Sequence, residues 1–405
     1  MQFGASSLVP AASARTAGFV DRWALSTIVS RLGGAAFRLQ LWDGTAQGAS
    51  TSPSLATVTV ADRGTLLRLL WRPALAFGEA YADGRIAVHG DLVALLESIN
   101  RALAGRPYQR GGPATHRTDP AAARKNDHAQ SDQGNDFYRL WLDEQMVYTC
   151  AYFTSPGDSL EAAQVAKLDY VCRKLRLQPG ETVVEAGCGW GALALHMARH
   201  YGVTVRAFNI SAAQLAYARA QAVREGLADR VTFEDGDYRT IDGRADAFVS
   251  IGMLEHVGSE HYDAIGRVIG RVIDPVRGRA LVHFIGRNRP MPFNPWIGRY
   301  IFPGAHAPSL GEVLPPVAEA ANLSVVDVEN LRPHYAETLR HWRERFETHA
   351  PDISARFDER FVRMWRLYLA GAEACFRSGD LQLFQIVLGR ASDNTAPWTR
   401  ADLYV

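Results

Sequence analysis

The sequence has few cysteines, almost no net charge and no long hydrophobic run. Its 405 residues include four cysteines. Their spacing matches neither a disulfide framework nor a metal-binding motif, so we expect a reducing cytoplasmic compartment and no metal centre. The 44 basic side chains nearly balance the 43 acidic ones, which leaves no positive field for nucleic acid. No apolar run reaches the roughly 18 residues of a membrane-spanning helix, and no signal peptide is expected. Any membrane contact is therefore expected to be peripheral.

A glycine-rich stretch, VVEAGCGWG from Val183 to Gly191, is the most informative part of the sequence. A short apolar strand precedes it, and a helix is predicted from about 192 to 201. Glycine permits a sharp turn and lets a ligand lie against bare backbone, beside a helix N-terminus that favours anionic groups. The next predicted strand ends in Asn209, without the acidic residue typical of a dinucleotide site. The stretch resembles the first motif of the class I S-adenosylmethionine (SAM) methyltransferases; a simple strand-to-helix turn is the alternative.

Beyond this stretch, apolar strands and helices alternate along the chain. Strands are predicted at 203–208, 231–233, 245–251 and 279–284. This alternation predicts an α/β fold with a doubly wound, mostly parallel sheet, whose functional residues gather at the carboxyl ends of the strands. The predicted organisation has four parts: a smaller N-terminal α+β domain over 1–103, a polar linker over 104–128, a catalytic domain over 129–405, and within it an aromatic, proline-rich insert over about 288–310.

An amphipathic helix is predicted near the N-terminus, from Phe19 to Leu32. Its apolar residues share one broad face: Phe19, Trp23, Leu25, Ile28, Val29 and Leu32. Packing of this face in the protein core is the favoured interpretation, and a helix on a membrane surface is the alternative.

Several segments together resemble one enzyme family. The motifs are GNDFYRLWLD from Gly134, MVYTCAYF from Met146, the glycine-rich stretch, GMLEHVG from Gly252, LVHFIG from Leu281, YIFPG from Tyr300 and LQLFQIVLGR from Leu381. From about Gly134 to Arg390 the chain resembles the cyclopropane-fatty-acyl-phospholipid synthases and the related SAM-dependent enzymes that modify fatty acyl chains and mycolic acids. The segment FGEAYADG, from Phe77 to Gly84, extends the resemblance more loosely. The resemblance implies a Rossmann-like class I SAM-methyltransferase fold with an acyl-binding insert.

The resemblance also implies a reaction. The cis double bond of a lipid attacks the methyl group of SAM, and a base then removes a proton from the added methyl so that a cyclopropane ring closes. In this family the base is thought to be a bound bicarbonate ion. Its implied ligands are Cys150, Glu255, His283, the backbone of Ile285, and Tyr335. Glu255 fits only if it accepts a hydrogen bond from the bicarbonate hydroxyl or pairs with His283, because two negative groups would otherwise repel.

Each implied ligand has a purely structural alternative. Cys150 could be a small buried hydrophobe, and Glu255 with His256 a surface pair at a strand end. His283 could be a core histidine bonded to the backbone, and Tyr335 an amphipathic packing residue. Four matches in the same order favour the functional interpretation.

For SAM, the resemblance implies ten contact positions. Gly187 and Gly189 would hold the methionine part, and Cys188 would pack the loop. Tyr148 and Thr149 would close over it. Ser211 and Gln214 would contact the ribose in place of the missing acid, although they could also be a turn serine and an exposed glutamine. The positions beside the adenine would be Gly236, Asp237 and Tyr238.

The implied partners are unsaturated phospholipid acyl chains at the membrane surface, and a homodimer is possible. Loss of a different proton would give a methyl-branched or methylene acyl chain instead of a ring. An idle SAM- or lipid-binding protein is a further alternative, and a small-molecule N- or O-methyltransferase is less favoured. One departure stands before GNDFY, where Gln130 and Ser131 replace a His-Tyr pair of the family. Aromatic residues of the insert, from Phe293 to Phe302, are the candidate wall of an acyl tunnel.

Overall fold

The computed structural model describes residues 16–48, 54–104 and 133–404. Most of the predicted linker and the departure at Gln130 and Ser131 lie outside these ranges. Within them, no helix combines the length and apolarity needed to cross a bilayer.

Eleven strands are described, numbered in chain order. They are β1 (Phe37–Leu41), β2 (Ala46–Gly48), β3 (Ala56–Val60), β4 (Ile86–Gly90), β5 (Thr182–Ala186), β6 (Thr204–Asn209), β7 (Val231–Asp235), β8 (Ala247–Ile251), β9 (Arg279–Gly286), β10 (Ser324–Asn330) and β11 (Gln382–Gly389).

The described α-helices are numbered in the same way. They are α1 (Phe19–Arg31), α2 (Arg63–Trp71), α3 (Pro73–Ala82), α4 (Leu92–Ala104), α5 (Asn135–Tyr138), α6 (Leu160–Lys174), α7 (Ala192–Tyr201), α8 (Ala212–Arg224), α9 (Tyr262–Val272), α10 (Pro295–Tyr300), α11 (Leu310–Leu314), α12 (Arg332–Thr348), α13 (Ala350–Arg356) and α14 (Glu359–Ser378). Shorter helical turns occur at Tyr238–Thr240, Leu254–His256, Ser259–His261, Pro315–Glu319 and Ala401–Leu403.

The described residues form two compact units, whose boundaries cross the predicted domains. The first unit contains the described residues up to 104, together with Asn294–Ile301 and Trp342–Asp380. The second contains the described residues of 133–293, of Phe302–His341 and from Leu381 onward. Two segments that the sequence analysis assigns to the catalytic domain therefore belong to the first unit.

The second unit contains a seven-stranded sheet in the order β10-β11-β9-β8-β5-β6-β7. The strands from β9 to β7 run parallel, whereas β11 is antiparallel to both β9 and β10. Apolar clusters cover both faces of this sheet: one includes residues of α6, α7 and α8, and the other residues of α9 and α11. Burial on both faces explains the nearly continuous apolar runs in β8 and β9. The predicted doubly wound α/β fold is confirmed.

The first unit contains a four-stranded sheet in the order β2-β1-β3-β4. Its core also takes in the later segments. Trp296 of α10 is buried against Gly78 of α3, where an added Cβ would lie 2.3 Å from the indole ring. The Tyr300 hydroxyl donates to Glu79 at 2.8 Å. Glycine at position 78 thus lets the indole pack directly on the α3 backbone.

The predicted apolar face of α1 is divided in the structure. Leu25 and Val29 are buried, but Phe19 is 87% exposed and Trp23 is 54% exposed. The prediction of one shared face was wrong, because at 3.6 residues per turn Phe19 and Trp23 project roughly 120–160° away from Leu25.

Candidate active site

The glycine-rich turn follows β5 and has three glycines in the left-handed region. Their φ angles are +85° at Gly187, +53° at Gly189 and +89° at Gly191. A Cβ at Gly189 would meet nothing within 4 Å, whereas one at Gly191 would lie 2.7 Å from Phe233 and 2.9 Å from Ala218. Gly189 therefore borders open space that suits a ligand, and Gly191, which the sequence analysis did not single out, lets the turn pack on the sheet.

The side expected to bind ribose is organised by Asn209, at the end of β6. Its amide nitrogen donates to the Gly189 carbonyl at 3.2 Å and to the Gln214 side-chain oxygen at 2.8 Å. Gln214 therefore lies beside the glycine-rich turn. The Ser211 hydroxyl is buried and has no hydrogen-bond partner among the described residues. The sequence motifs did not mark Asn209 as a candidate ligand. Its position at the carboxyl end of β6, the strand that follows the glycine-rich turn and its helix, could have identified it.

The segment expected to flank adenine follows β7. The Gly236 N–H donates to the Asn209 carbonyl at 3.1 Å, which ties this segment to the ribose side. The Asp237 carboxylate accepts two hydrogen bonds from the Arg239 guanidinium, at 2.7 and 3.0 Å. Tyr238 is buried, and burial raises the pKa of its hydroxyl to about 12. The Asp237 carboxylate is therefore paired with Arg239. The Tyr238 hydroxyl stays protonated at neutral pH.

Tyr148 and Thr149 lie at the carboxyl ends of the strands. The Tyr148 ring packs against Tyr138 and Trp141, with centroid distances of 5.4 and 5.3 Å. The methyl carbon of Thr149 would lie 3.2 Å from a Cβ at Gly252, directly after β8. The Thr149 hydroxyl accepts a 2.8 Å hydrogen bond from the ammonium of Lys167. The threonine is therefore held on both sides.

Lys167 is a buried cation that the sequence analysis missed. It lies on the inner side of α6 and is 2% exposed. Burial lowers its pKa to about 8, while Cys150, Asp143 and Glu185 oppose that shift. Burial also raises the pKa of Glu185, the acidic residue of the glycine-rich motif, and Lys167 opposes this shift. A lysine on a mostly apolar helix face gives no sequence signal of its partners, which come from distant segments.

Glu255 and Ile285 meet directly. The Ile285 N–H donates to one carboxylate oxygen of Glu255 at 2.6 Å. The other oxygen is buried and has no hydrogen-bond partner among the described residues. Burial raises the pKa of this carboxyl to about 7, although the Ile285 N–H favours the ionised form. Glu255 is therefore a buried acid that can exchange a proton near neutral pH.

His283 lies on β9, two residues before Ile285, so both side chains point to one face of the sheet. Its ring Nδ1 is 3.0 Å from the side-chain nitrogen of Gln385 on β11. The Gly252 N–H donates to its carbonyl at 2.9 Å. Burial, reinforced by Lys167 and Lys174, holds the pKa of His283 well below its usual value. The imidazole is neutral at physiological pH.

Cys150 and Tyr335 belong to segments of the second unit that are far apart in the sequence. The Cys150 thiol donates to the Ala151 carbonyl at 3.0 Å, and burial raises its pKa, so it stays protonated. The Ala151 N–H donates to the Thr338 hydroxyl at 3.0 Å. Tyr335 is buried one turn earlier on the same helix, α12. The N-terminal part of α12 therefore packs on the Cys150 segment.

These segments converge at the carboxyl ends of the parallel strands. Gly252 is close to Thr149 and hydrogen-bonded to His283, while a Cβ at Gly187 would lie 3.2 Å from Met253. The described ranges hold no cluster of side chains able to bind a metal ion. The Gly252–Met253 segment therefore connects the glycine-rich turn with the segments that carry Thr149 and His283.

The family description "Mycolic acid cyclopropane synthetase" matches residues 118–386. The chain belongs to this family. A domain of unknown function, DUF7884, matches residues 24–104 of the chain. The chain is therefore a SAM-dependent methyltransferase of this family, and the predicted family, fold and enzyme class are confirmed. An idle binding protein is no longer a competing interpretation.

Three relatives illustrate the range of the family. A "Probable fatty acid methyltransferase" from Pseudomonas putida is 37% identical over 91% of this chain and 96% of that protein. The cyclopropane-fatty-acyl-phospholipid synthase of Escherichia coli K12 is 39% identical over 65% of this chain and 67% of its own length. The tuberculostearic acid methyltransferase UfaA1 of Mycobacterium tuberculosis is 35% identical over 87% of each chain.

Solved structures agree with the fold. The mycolic acid cyclopropane synthase CmaA1, complexed with SAH and CTAB, has a TM-score of 0.62 and 31% identity. The match covers 66% of this chain and 98% of that one. The cyclopropane synthase MmaA2 from Mycobacterium tuberculosis has the same TM-score at 29% identity.

Proposed function

We propose that the protein transfers a methylene group from SAM to the cis double bond of unsaturated phospholipid acyl chains and forms cyclopropane fatty acids. The observation that carries this proposal is the Glu255 carboxylate, buried beside the Ile285 N–H with one oxygen unpaired among the described residues. Simple methyl transfer to a nitrogen or oxygen needs no such site, whereas ring closure requires removal of a proton from the added methyl group. Relatives named for cyclopropane synthesis and fatty acid methylation support the acyl substrate.

The residues around Glu255 fit a bicarbonate ion. Bicarbonate has one hydroxyl donor and otherwise only acceptors. Glu255 offers the matching acceptor, its unpaired oxygen, and the imidazole and phenol of His283 and Tyr335 can donate. Cys150 remains a neutral thiol and adds no repulsion. The single N–H of Ile285 donates to Glu255, so we assign Ile285 to the orientation of Glu255 rather than to direct contact with the anion.

Different residues would then bind SAM, orient the base and exclude water. The turn at Gly187 and Gly189 holds SAM against bare backbone, and Thr149 closes over it. Bicarbonate, when bound, supplies the base that accepts the proton. Glu255 holds its hydroxyl and can receive that proton onward, because the pKa of this carboxyl lies near 7. The buried surroundings exclude water, which would otherwise capture a cationic acyl chain.

A second outcome of the same chemistry is a methyl-branched or methylene acyl chain. Two relatives that align with 87% or more of this chain are named as fatty acid or tuberculostearic acid methyltransferases. The named cyclopropane synthase of Escherichia coli aligns with 65% of it. All of these products share the first methyl transfer. A ring or a methylene group forms when the added methyl group loses a proton, whereas a methyl-branched unsaturated chain forms when a carbon of the acyl chain loses it.

Acyl access is proposed near Phe302. Its ring packs edge-on against His256, at a centroid distance of 5.9 Å, in the turn that carries Glu255. Trp296 and Tyr300 contact α3 in the first unit, so the proposed acyl path does not include them.

Membrane docking is proposed through the exposed side of α1. Phe19, Val20 and Trp23 are exposed large apolar side chains on two successive turns, and Arg22 lies between them. Aromatic and basic residues on one helix face suit an anionic lipid surface. A homodimer stays a prediction.

The direct test is expression in a bacterial host that lacks cyclopropane lipids, followed by fatty-acid analysis. Cyclopropane acyl chains should appear with the wild-type protein and be absent with Glu255→Gln at equal protein levels. Methyl-branched or methylene chains would favour the second outcome. No modified acyl chain from a well-expressed, SAM-binding protein would reject both.

A further inference from the structure

We propose that Lys174 and Gln385 are positioning residues that hold His283 as the neutral tautomer with its proton on Nε2. Neither residue was singled out by the sequence. The consequence for catalysis rests on the proposed function, but the tautomer itself does not. We call the connected side chains Glu329, Lys174, Gln385 and His283 the histidine relay.

The histidine relay is a continuous chain of hydrogen bonds that is buried from Lys174 to His283 and partly buried at Glu329. Gln385 on β11 stands directly opposite His283 on β9 in the antiparallel register, and their nitrogens are 3.0 Å apart. The Lys174 ammonium donates to the Gln385 oxygen at 2.7 Å and to Glu329 at 2.5 Å. Gln385 has no exposed surface, and His283 is 2% exposed. Water therefore cannot replace these partners.

The direction of every bond in the relay follows from Lys174. An ammonium group has three donors and no acceptor. It must therefore face the oxygen of Gln385 rather than its NH₂ group. The Gln385 amide is thereby oriented with its NH₂ group toward His283. Because an amide NH₂ only donates, Nδ1 of His283 must accept.

A neutral imidazole carries one proton, so accepting at Nδ1 places that proton on Nε2. The same contact disfavours the imidazolium form, in which Nδ1 would donate and clash with the NH₂ group. Burial and the positive charges of Lys167 and Lys174 act in the same direction. Glu329 stabilises the charge of Lys174, and the Tyr170 hydroxyl donates to the same carboxylate at 2.9 Å.

The relay gives His283 a defined chemical role. Nε2, on the far side of the ring from β11, then carries a proton that it can donate, and under the proposed function its acceptor is the bound anion. The opposite tautomer would present a lone pair there and repel the anion. The Nδ1–H tautomer of His283 would therefore weaken the binding of bicarbonate and leave the binding of SAM unchanged.

The test is the ¹⁵N NMR signature of histidine side chains, which distinguishes the two tautomers and the imidazolium. His283 is assigned as the signal lost in His283→Ala, and the full-length protein is measured without substrate. We expect Nε2–H in the wild type. In Gln385→Glu, a carboxylate faces Nδ1 and can only accept, so His283 should become Nδ1–H or imidazolium.

Gln382→Glu is the matched control. It places the same carboxylate in the same strand, at a buried position whose oxygen accepts from Asn330 at 2.8 Å. We expect it to leave the His283 signature unchanged. Lys174→Gln is a second variant, because an amide can donate or accept; it should give a mixture of tautomers. Wild-type protein with the proton on Nδ1, or an unchanged signature in both Gln385→Glu and Lys174→Gln, would overturn the proposal.

Activity measurements separate this inference from the proposed function. In bicarbonate-depleted buffer, titrating bicarbonate should show an apparent KM about 10- to 100-fold higher in Gln385→Glu, the expected cost of a lost charge-assisted hydrogen bond. The KM for SAM should remain within about twofold, because the relay does not touch the SAM turn. If the wild type shows the Nε2–H signature but modifies no acyl chain, the proposed function fails and the relay stands. If acyl chains are modified and the tautomer is reversed, the relay fails alone.

Discussion

The ammonium of Lys167 donates a 2.8 Å hydrogen bond to the hydroxyl of Thr149, from a position that is almost completely buried. This bond joins the segment proposed to close over SAM to the acidic residue of the glycine-rich motif, Glu185, which interacts electrostatically with the same ammonium. A cation here balances buried acids and orients a binding residue at the same time.

Thr149→Val should weaken SAM binding modestly. The substitution removes the acceptor of the Lys167 bond, worth about 0.5–1.5 kcal/mol, or roughly 2- to 10-fold in affinity. Calorimetric titration with SAM measures this. Thr154→Val, which changes an exposed threonine of the same segment bonded to Asp158, should leave the affinity unchanged; equal losses in both variants would contradict a specific role of Thr149.

Lys167→Met should mainly destabilise the fold. It removes the 2.8 Å hydrogen bond to Thr149 and the attraction between the ammonium and the buried carboxyl groups of Asp143 and Glu185, and we expect a loss of about 1–3 kcal/mol. Adding Glu185→Gln should recover part of the loss, because one buried ionisable acid is removed together with the cation. Denaturant unfolding of the single and double variants gives the comparison. Additive losses would show that the two residues do not interact.

Glu255→Gln should lower the catalytic rate and raise the stability of the folded protein at neutral and higher pH. Loss of a proton acceptor typically costs about 10²–10⁴-fold in rate, while SAM affinity should be retained. Burial raises the pKa of Glu255 from 4.5 to about 7. The unfolded chain therefore releases this proton at lower pH than the folded protein, so stability falls as pH rises from about 4.5 to 7.

Glutamine at position 255 cannot ionise, so the stability of this variant should not fall with pH for this reason. Its melting temperature should exceed that of the wild type at pH 8, and the difference should shrink toward pH 4.5. Wild-type activity should also decline as pH falls below about 7, where Glu255 becomes protonated. A constant difference in melting temperature across this range would show that Glu255 does not titrate as described.

A side chain added at Gly189 should abolish SAM binding, whereas one added at Gly191 should destabilise the fold. Gly189→Val meets open space and should leave a folded protein that no longer binds SAM. Gly191→Ala places a methyl group 2.7 Å from Phe233 and should lower the melting temperature first. Thermal unfolding and SAM titration of both variants separate the effects; unchanged SAM affinity in Gly189→Val would place the cofactor elsewhere.

The double substitution Phe19→Ser with Trp23→Ser should reduce binding to anionic vesicles and leave SAM affinity unchanged. This is a cleaner test than removing the N-terminal residues, because the first unit also contains Asn294–Ile301 and Trp342–Asp380. Trp398→Ser, which changes a fully exposed tryptophan outside α1, is the control. Vesicle sedimentation at low and high salt measures the effect, and equal binding by all three proteins would exclude this face of α1 from docking.

The sequence predicted the regular part of the fold well, because hydrophobic periodicity is local. The helix at 192–201 was placed correctly, and the strand beginning at Arg279 was found. The predicted apolar face of α1 was wrong, because at 3.6 residues per turn Phe19 projects roughly 120° away from Leu25. Leu25 is buried and Phe19 lies in solvent.

The site was predictable only where a motif carries it. Glu255 and His283 stand in recognisable motifs at strand ends. Lys167, Gln385 and Asn209 gain their importance from partners in distant segments, and no local pattern marks them. Lys167 in particular occupies a helix position that periodicity assigns to core packing.

The most direct test of ring closure is a reaction of the purified protein with SAM carrying a CD₃ methyl group and vesicles of a cis-unsaturated phospholipid. We expect acyl chains that have gained one carbon and retain two deuterium atoms. We also expect a cyclopropane ring at the former double bond, visible by NMR and mass spectrometry. Two deuterium atoms with a remaining double bond would indicate the methylene product. Acyl chains that retain all three deuterium atoms, or no labelled lipid at all, would contradict proton removal from the added methyl group and with it the role assigned to the Glu255 site.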